Sequence, residues 1–171
     1  MDSLSPRPPI AASGQRLALR EAGRDDQAAL QACLDGAPGY HELTEGGPAA
    51  PDAAAALLDE AEVDPSRRVL LLLPRRGGPA VGLLDLWLDQ PEPGTAHVGL
   101  LLIREAAQAQ GWGAAATALL EQALHAAGFG LLRLSVGDEN PGALAFWERL
   151  GFAPVGRLDG GVTVLEKLLG P

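Results

Sequence analysis

The chain has 171 residues, 47% of them hydrophobic, and a formal net charge of −9. That length suits one domain with one sizeable core, and the negative field excludes nucleic acid and anionic membrane surfaces as partners while tolerating a cationic one. A single cysteine, Cys33, excludes an internal disulfide, and no 18-residue apolar run reads as a transmembrane helix.

The opening MDSLSPRPPIAASGQ is rich in Pro and Ser and lacks an apolar signal core. Residues 1–15 therefore read as a loose leader, 16–169 as the folded domain, and the cytoplasm as its place. RLALREA (16–22) alternates like a first strand, and DQAALQACL carries apolar residues at helical spacing, with Cys33 on its core side. GAPGYHELTEGGPAAP (36–51) reads as a turn-rich stretch, and DAAAALLDEAE (52–62) as a second helix. RVLLLLP (68–74), AVGLLDLWLD (80–89) and TAHVGLLLI (95–103) are apolar runs joined by short Gly/Pro turns, the pattern of an antiparallel meander.

After REAAQAQ comes GWG and then a long helix to about Ala127, closed by Gly128. LLRLSVG (131–137) follows as a strand, and a strand–helix–strand run needs a crossover, so it lies parallel to the strand at 95–103. DENPGALAFWERLGF carries Asn140 as N-cap, Pro141 at the first helical position and Gly151 at the close. FAPVGRL and GVTVLEKLL end the chain as a hairpin.

Two glycines one residue apart, Gly111 and Gly113, stand at the mouth of a helix and offer backbone N–H groups to an anion. GWGAAA also fits the dinucleotide fingerprint, but seven residues separate it from Ile103 and the chain has a single crossover, which argues against a Rossmann turn. There is no G-x-x-x-x-G-K-[ST] loop, no G-x-S-x-G elbow, and the three histidines and one cysteine show no metal-ligand spacing. No metal is expected.

Gln108, Gly111 and Gly113 form Q-x-x-G-x-G after a strand and before a long helix, and 27 residues past Gly113 begins N-P-x-A-x-x-F-W-x-x-x-G-F, from Asn140 to Phe152. This pair of motifs resembles the GCN5-related N-acetyltransferase (GNAT) family, over about residues 16–169. The resemblance implies an α/β (α+β) fold: a mixed, mostly antiparallel sheet flanked by helices, with an acetyl-CoA cleft at the parallel strand pair. It implies acetyl-CoA as the acyl donor. Its pyrophosphate would lie on the amides of Ala109, Gln110, Gly111, Trp112, Gly113 and Ala114, in the loop that Gln108 opens, and its pantetheine arm along Leu101, Leu102 and Ile103. Asn140 would contact the donor near its pantetheine end, and Ala143, Phe146 and Trp147 belong to the same wall. Arg104 is the nearby cation for the phosphates.

The acceptor implied is an amine, most simply a small molecule, with a protein N-terminus or lysine as a further alternative and a homodimer as an admissible assembly. The family often carries a glutamate on the strand before the glycine loop; here Ala96-His97-Val98 occupies that place, which makes His97 the expected general base. Asp85 and Asp89 are weaker candidates on the adjacent strand, Asp85 also as an acceptor contact. Family members commonly carry F-Y in the last motif, where this chain has Phe146 and Trp147, and an indole N–H is no practical acid. That departure keeps a second class alive, a non-catalytic acyl-CoA-binding sensor. Tyr40, His41 and Glu42, in the stretch between the first two expected helices, are expected acceptor contacts.

Overall fold

Apolar runs broken by glycine and proline turns become a single sheet, as their spacing requires. A computed structural model describes residues 7–171. Its strands are β1 (Ala12–Ser13), β2 (Leu17–Glu21), β3 (Arg67–Pro74), β4 (Gly82–Leu88), β5 (Thr95–Ile103), β6 (Leu131–Gly137), β7 (Ala153–Leu158) and β8 (Val162–Leu168). They lie in the order β1-β2-β3-β4-β5-β6-β8-β7. Among the described residues β5 and β6 form the one parallel pair; the remaining neighbours are antiparallel. Five helices among the described residues flank the sheet: α1 (Gln27–Asp35), α2 (Pro38–Glu45), α3 (Ala53–Val63), α4 (Trp112–Ala126) and α5 (Pro141–Arg149). None is long and apolar enough to cross a membrane.

The run of leucines in β3 is apolar throughout because both faces of the sheet are covered. Alternation sends Leu70 and Leu72 to one face, where they join Leu84, Leu86 and Val98 beneath Leu120 and Leu124 of α4 and Trp147 of α5. Val69 and Leu71 go to the other face, with Leu83 and Leu102 beneath Leu30, Cys33 and Leu34 of α1 and Leu58 of α3. Cys33 is thus a buried core thiol. Truncating any of these buried leucines to alanine costs about 2–5 kcal/mol.

One irregularity positions the site. The β4–β5 register runs Leu86↔Val98 and then Asp85↔Leu100, so Gly99 is an extra residue in β5. A glycine suits a bulge of this kind, and here it is required: a Cβ on Gly99 would collide with the ring of Trp87. The parallel pairing of β5 with β6 covers Thr95↔Leu131 to Val98↔Leu134 and stops at the same point. Beyond it the two strands part, and 99–103 of β5 and 135–137 of β6 flank an opening.

Two segments differ from what their sequence suggests. The stretch 36–51 contains α2, begun by Pro38 at its first turn and closed by Gly46 at φ 76°. The helix forms because His41 buries against α1, with its Nε2 3.0 Å from the carbonyl of Leu34. Residues 7–15 are packed onto the domain, not a loose leader, and the first six residues of that leader lie outside the described residues. Ile10 is 2% exposed, Arg7 forks onto Asp89 at 3.0 and 2.8 Å and stacks over Phe129, and β1 pairs with β2.

Candidate active site

The glycine turn sits between β5 and α4. Ala109 and Gly111 take left-handed backbone, at φ 59° and 81°; Gly111 adopts it without strain. Gly111 is the N-cap of α4 and supplies no side-chain cap. Ala115 N–H bonds to the Gly111 carbonyl at 3.0 Å, so the amides of Trp112, Gly113 and Ala114 before it have no partner within the helix. These are the donors of an anion cradle, at the positive end of a helix of 15 residues. Gly113 keeps the cradle open: a Cβ there would stand 3.1 Å from Cζ of Phe146. The Gln108 side chain closes the loop by donating from Nε2 to the Ile103 carbonyl at 3.0 Å.

A groove of about 520 Å³ runs from this cradle, walled by Leu101, Ile103, Gln108, Ala109, Gly111, Trp112, Gly113 and Ala114 on one side and by Asn140, Ala143, Phe146 and Arg149 on the other. A second cavity of about 320 Å³ occupies the opening between β5 and β6. Leu101, Asn140 and Ala143 line both, so the two are one cleft. Asn140 stands at the junction because it caps α5, its Oδ1 accepting from Ala143 N at 3.1 Å. The second cavity is bounded by Tyr40 and Thr44 of α2, by Gly99 and Leu100 of β5, by Ser135, Val136 and Gly137 of β6, and by Glu139 and Trp147.

Several expected residues lie elsewhere. Leu102 is buried on the opposite face among α1 and α3. Gln110 is exposed outside the groove, its carbonyl accepting from Arg16 at 3.0 Å. Trp112 lines the groove but its ring is core, 4% exposed, with Arg16 stacked over it at 4.5 Å. Trp147 lines the second cavity and is 7% exposed, wedged edge-on between Phe146 and Phe152 at 4.9 and 5.1 Å. Arg104 turns away from the cradle and lies against Gly36, with Nη1 3.4 Å from the Ala80 carbonyl. Arg149 of α5 is exposed at the groove wall, and Arg16 lies against the cradle loop beside Gly111; the place of Arg149 one turn past Phe146 is a signal the sequence carried.

His97 is not in the wall of either cavity. Side chains alternate along β5, and the residue before the Val98–Gly99 irregularity points to a separate groove with Trp87, Gln90, Pro91 and Arg133. That groove meets the cleft at Ser135. Burial first, then the Arg133 cation, push His97 below its ordinary value. Asp85 is 4% exposed and its carboxylate is fully engaged by Arg67, at 2.9 and 2.7 Å. Arg67 also pairs with Glu60 and stacks 4.5 Å over Trp87, so this cluster holds the ring that covers Gly99. His41 is 3% exposed and serves helix packing. Glu42 is exposed and lines none of these cavities. Of the expected acceptor contacts, the structure brings Tyr40 to the cleft.

Glu139 was not visible as a site residue in the sequence, where DEN reads as a turn. Gly137, two positions earlier, is the signal: a Cβ there would collide with both carboxylate oxygens of Glu139, so the glycine lets that carboxylate fold back over the end of β6. The α2 side of the cleft is fastened to the cradle loop. Glu105 N–H bonds to the Gly36 carbonyl at 2.8 Å, and Gly39 N–H donates to the Glu105 carboxylate at 2.8 Å. Among the described residues no group of three or more His, Cys, Asp or Glu converges as a metal site.

A mixed sheet split at its parallel pair, with an amide cradle at one end of the split, is the architecture of an acyltransferase. The model of the acetyltransferase (GNAT) family matches residues 37–152, and the chain belongs to that family. It is 32% identical over 165 aligned positions to a mycothiol acetyltransferase of Beutenbergia cavernae, covering 83% of this chain and 54% of that protein. The chain thus spans about half the length of that curated relative. Among solved structures, an acetyltransferase from Thermus thermophilus superposes with a TM-score of 0.82 at 31% identity, over 90% of this chain and 97% of that one. A spermidine N-acetyltransferase from Vibrio cholerae, in complex with CoA and spermine, shares the fold with a TM-score of 0.68 at 20% identity, over 91% and 97% of the two chains.

Proposed function

We propose that the protein transfers the acetyl group of acetyl-CoA to the nitrogen of a small amine. The observation that carries this reading is the continuity of the cleft from the amide cradle to the split strands. An anion on the cradle and an extended chain through the split can be held by one molecule, and CoA has both parts. The residues fit it. The Trp112, Gly113 and Ala114 amides meet the pyrophosphate, with Arg149 beside them. The edge of β5 beyond Gly99 has no strand partner on the β6 side, and free strand-edge groups seek hydrogen bonds, which the amides of a pantetheine arm supply. Bound there, the donor presents an activated thioester to the cavity of Tyr40, Glu139 and Asn140.

The acceptor side supports a small molecule, since about 320 Å³ is the room available at the split. A net charge of −9 favours the approach of a cation, and the domain is read as acting in the cytoplasm, either alone or as a homodimer. A second reading, a CoA-binding sensor without turnover, is favoured by one observation: Trp147 stands on α5 with its ring in the core. Calorimetry with CoA, followed by thiol release from acetyl-CoA across a panel of amines, tests both. Absence of binding at millimolar CoA removes the whole reading; binding without release from any amine selects the sensor.

A further inference from the structure

We propose that Tyr40 and Glu139 are the proton-transfer pair of this cleft, Tyr40 the acid for the departing sulfur and Glu139 the base for the attacking amine. The inference rests on the acetyl-transfer reading above and assigns its chemistry to named atoms. Of the side chains that wall the cavity at the split strands, two are ionisable, the phenol of Tyr40 and the carboxylate of Glu139. Ser135 and Thr44 add aliphatic hydroxyls, which are far weaker acids than a phenol. Trp147 faces the same cavity with a ring that has no acidic proton.

Both groups are placed by backbone features. Tyr40 follows Gly39, whose N–H is held by Glu105 from the cradle loop, and its ring meets His41 edge-on at 5.2 Å. Glu139 reaches the cavity over the bare Cα of Gly137. The charged groups that Tyr40 senses are Glu45 on its own helix and Glu139 from the turn before α5. Burial chiefly, with those two carboxylates adding and the Thr44 hydrogen bond opposing, raises the phenol above its ordinary value. Tyr40 therefore carries its proton at neutral pH and has it to give.

The bookkeeping of bonds closes. The amine nitrogen bonds to the thioester carbonyl carbon while Glu139 takes a proton from nitrogen. The carbon–sulfur bond breaks with its electron pair going to sulfur, and sulfur takes the phenolic proton of Tyr40. Glu139 returns its proton through solvent to the Tyr40 oxygen. Amine and thioester have become amide and thiol, and the protein is unchanged.

The chain has one tyrosine, so the ultraviolet absorbance of phenolate titrates Tyr40 alone. Its midpoint is expected above the ordinary phenol value of about 10 and is expected to fall in Glu139→Gln. Tyr40→Phe and Glu139→Gln are each expected to lower kcat on the order of 100-fold, with CoA dissociation constants within about threefold of wild type. An unchanged Tyr40 midpoint in Glu139→Gln, or Tyr40→Phe turnover within about threefold of an active wild type, overturns the pair. Where Tyr40→Phe does not fold, the absorbance titration of wild type and Glu139→Gln decides alone. A wild type that binds CoA and acetylates no amine overturns the transfer reading and the pair together, an outcome distinguished from failure of the pair by the missing wild-type rate.

Discussion

Gly113→Ala separates stability from donor binding, because the two effects have opposite signs. Gly113 lies in the first turn of α4 with ordinary helical backbone, and replacing glycine by alanine in a helix stabilises by about 0.5–1 kcal/mol. The added Cβ would stand 3.1 and 3.3 Å from Cζ and Cε2 of Phe146, so the ring must move by a few tenths of an ångström. Phe146 is half-buried at the groove wall and can yield, which keeps most of the gain. For a chain of this size about 1 kcal/mol moves Tm by about 2–4 °C, so Tm is expected to hold or rise by that amount. Donor binding moves the other way. The methyl and the displaced ring stand where an anion must approach the amides, and loss of one hydrogen bond to a charged group costs about 1.5–3 kcal/mol, roughly ten- to 150-fold in Kd. Thermal unfolding and calorimetry with CoA are run on the same preparation. A CoA affinity equal to wild type in the alanine variant would refute the assignment of these amides as the cradle.

Arg149→Ala is expected to weaken CoA by up to about fivefold and to flatten the dependence of that affinity on salt, read by calorimetry at two ionic strengths. His97 has a folded pKa below its unfolded value of 6.5, so between those values the unfolded chain binds a proton the native state refuses. Stability therefore falls as pH drops from 6.5 toward the lowered value and levels below it; His97→Gln is expected to remove that segment of the curve of Tm against pH. Asp85→Ala leaves the half-buried guanidinium of Arg67 with Glu60 as its remaining carboxylate, so the cost is expected below the about 3–5 kcal/mol of an unpaired buried charge and above about 1 kcal/mol, read by urea titration; a smaller loss would mean the pair behaves as an exposed one.

Strands β3 to β6 were legible because each is an apolar run flanked by glycine or proline turns, and the runs needed no help from distant contacts to be recognised; β7, exposed along its whole length, was legible only as the partner of the strand that follows it. The cradle and the Asn140 cap were legible for a similar reason: both are local, set by residues within a few positions of one another. What escaped was settled by tertiary contact. PGYHELTE shows no apolar face, since the one buried side chain of α2 is a histidine held by α1. PRPPI has the composition of a tail, yet Ile10 fills the core and Arg7 finds Asp89 more than eighty positions away. His97 occupies the expected sequence position, but the extra residue at Gly99 sets which face each neighbour meets, and a register of that kind is fixed by the partner strand. Glu139 could be seen only once Gly137 was known to end a strand beneath it.

The tie between Glu105 and the Gly36–Gly39 turn gives the two ends of the cleft a common hinge pin. Glu105 opens the loop that leads into the cradle, and Gly39 lies in the first turn of the helix that carries Tyr40, so two bonds of 2.8 Å join the cradle loop to the Tyr40 wall of the cleft without passing through the sheet. Ordering either segment reduces the entropy left to be lost by the other, which is cooperativity with little displacement. The coupling is reciprocal: whatever settles the cradle loop also steadies the wall that carries Tyr40, and whatever seats against Tyr40 steadies the loop.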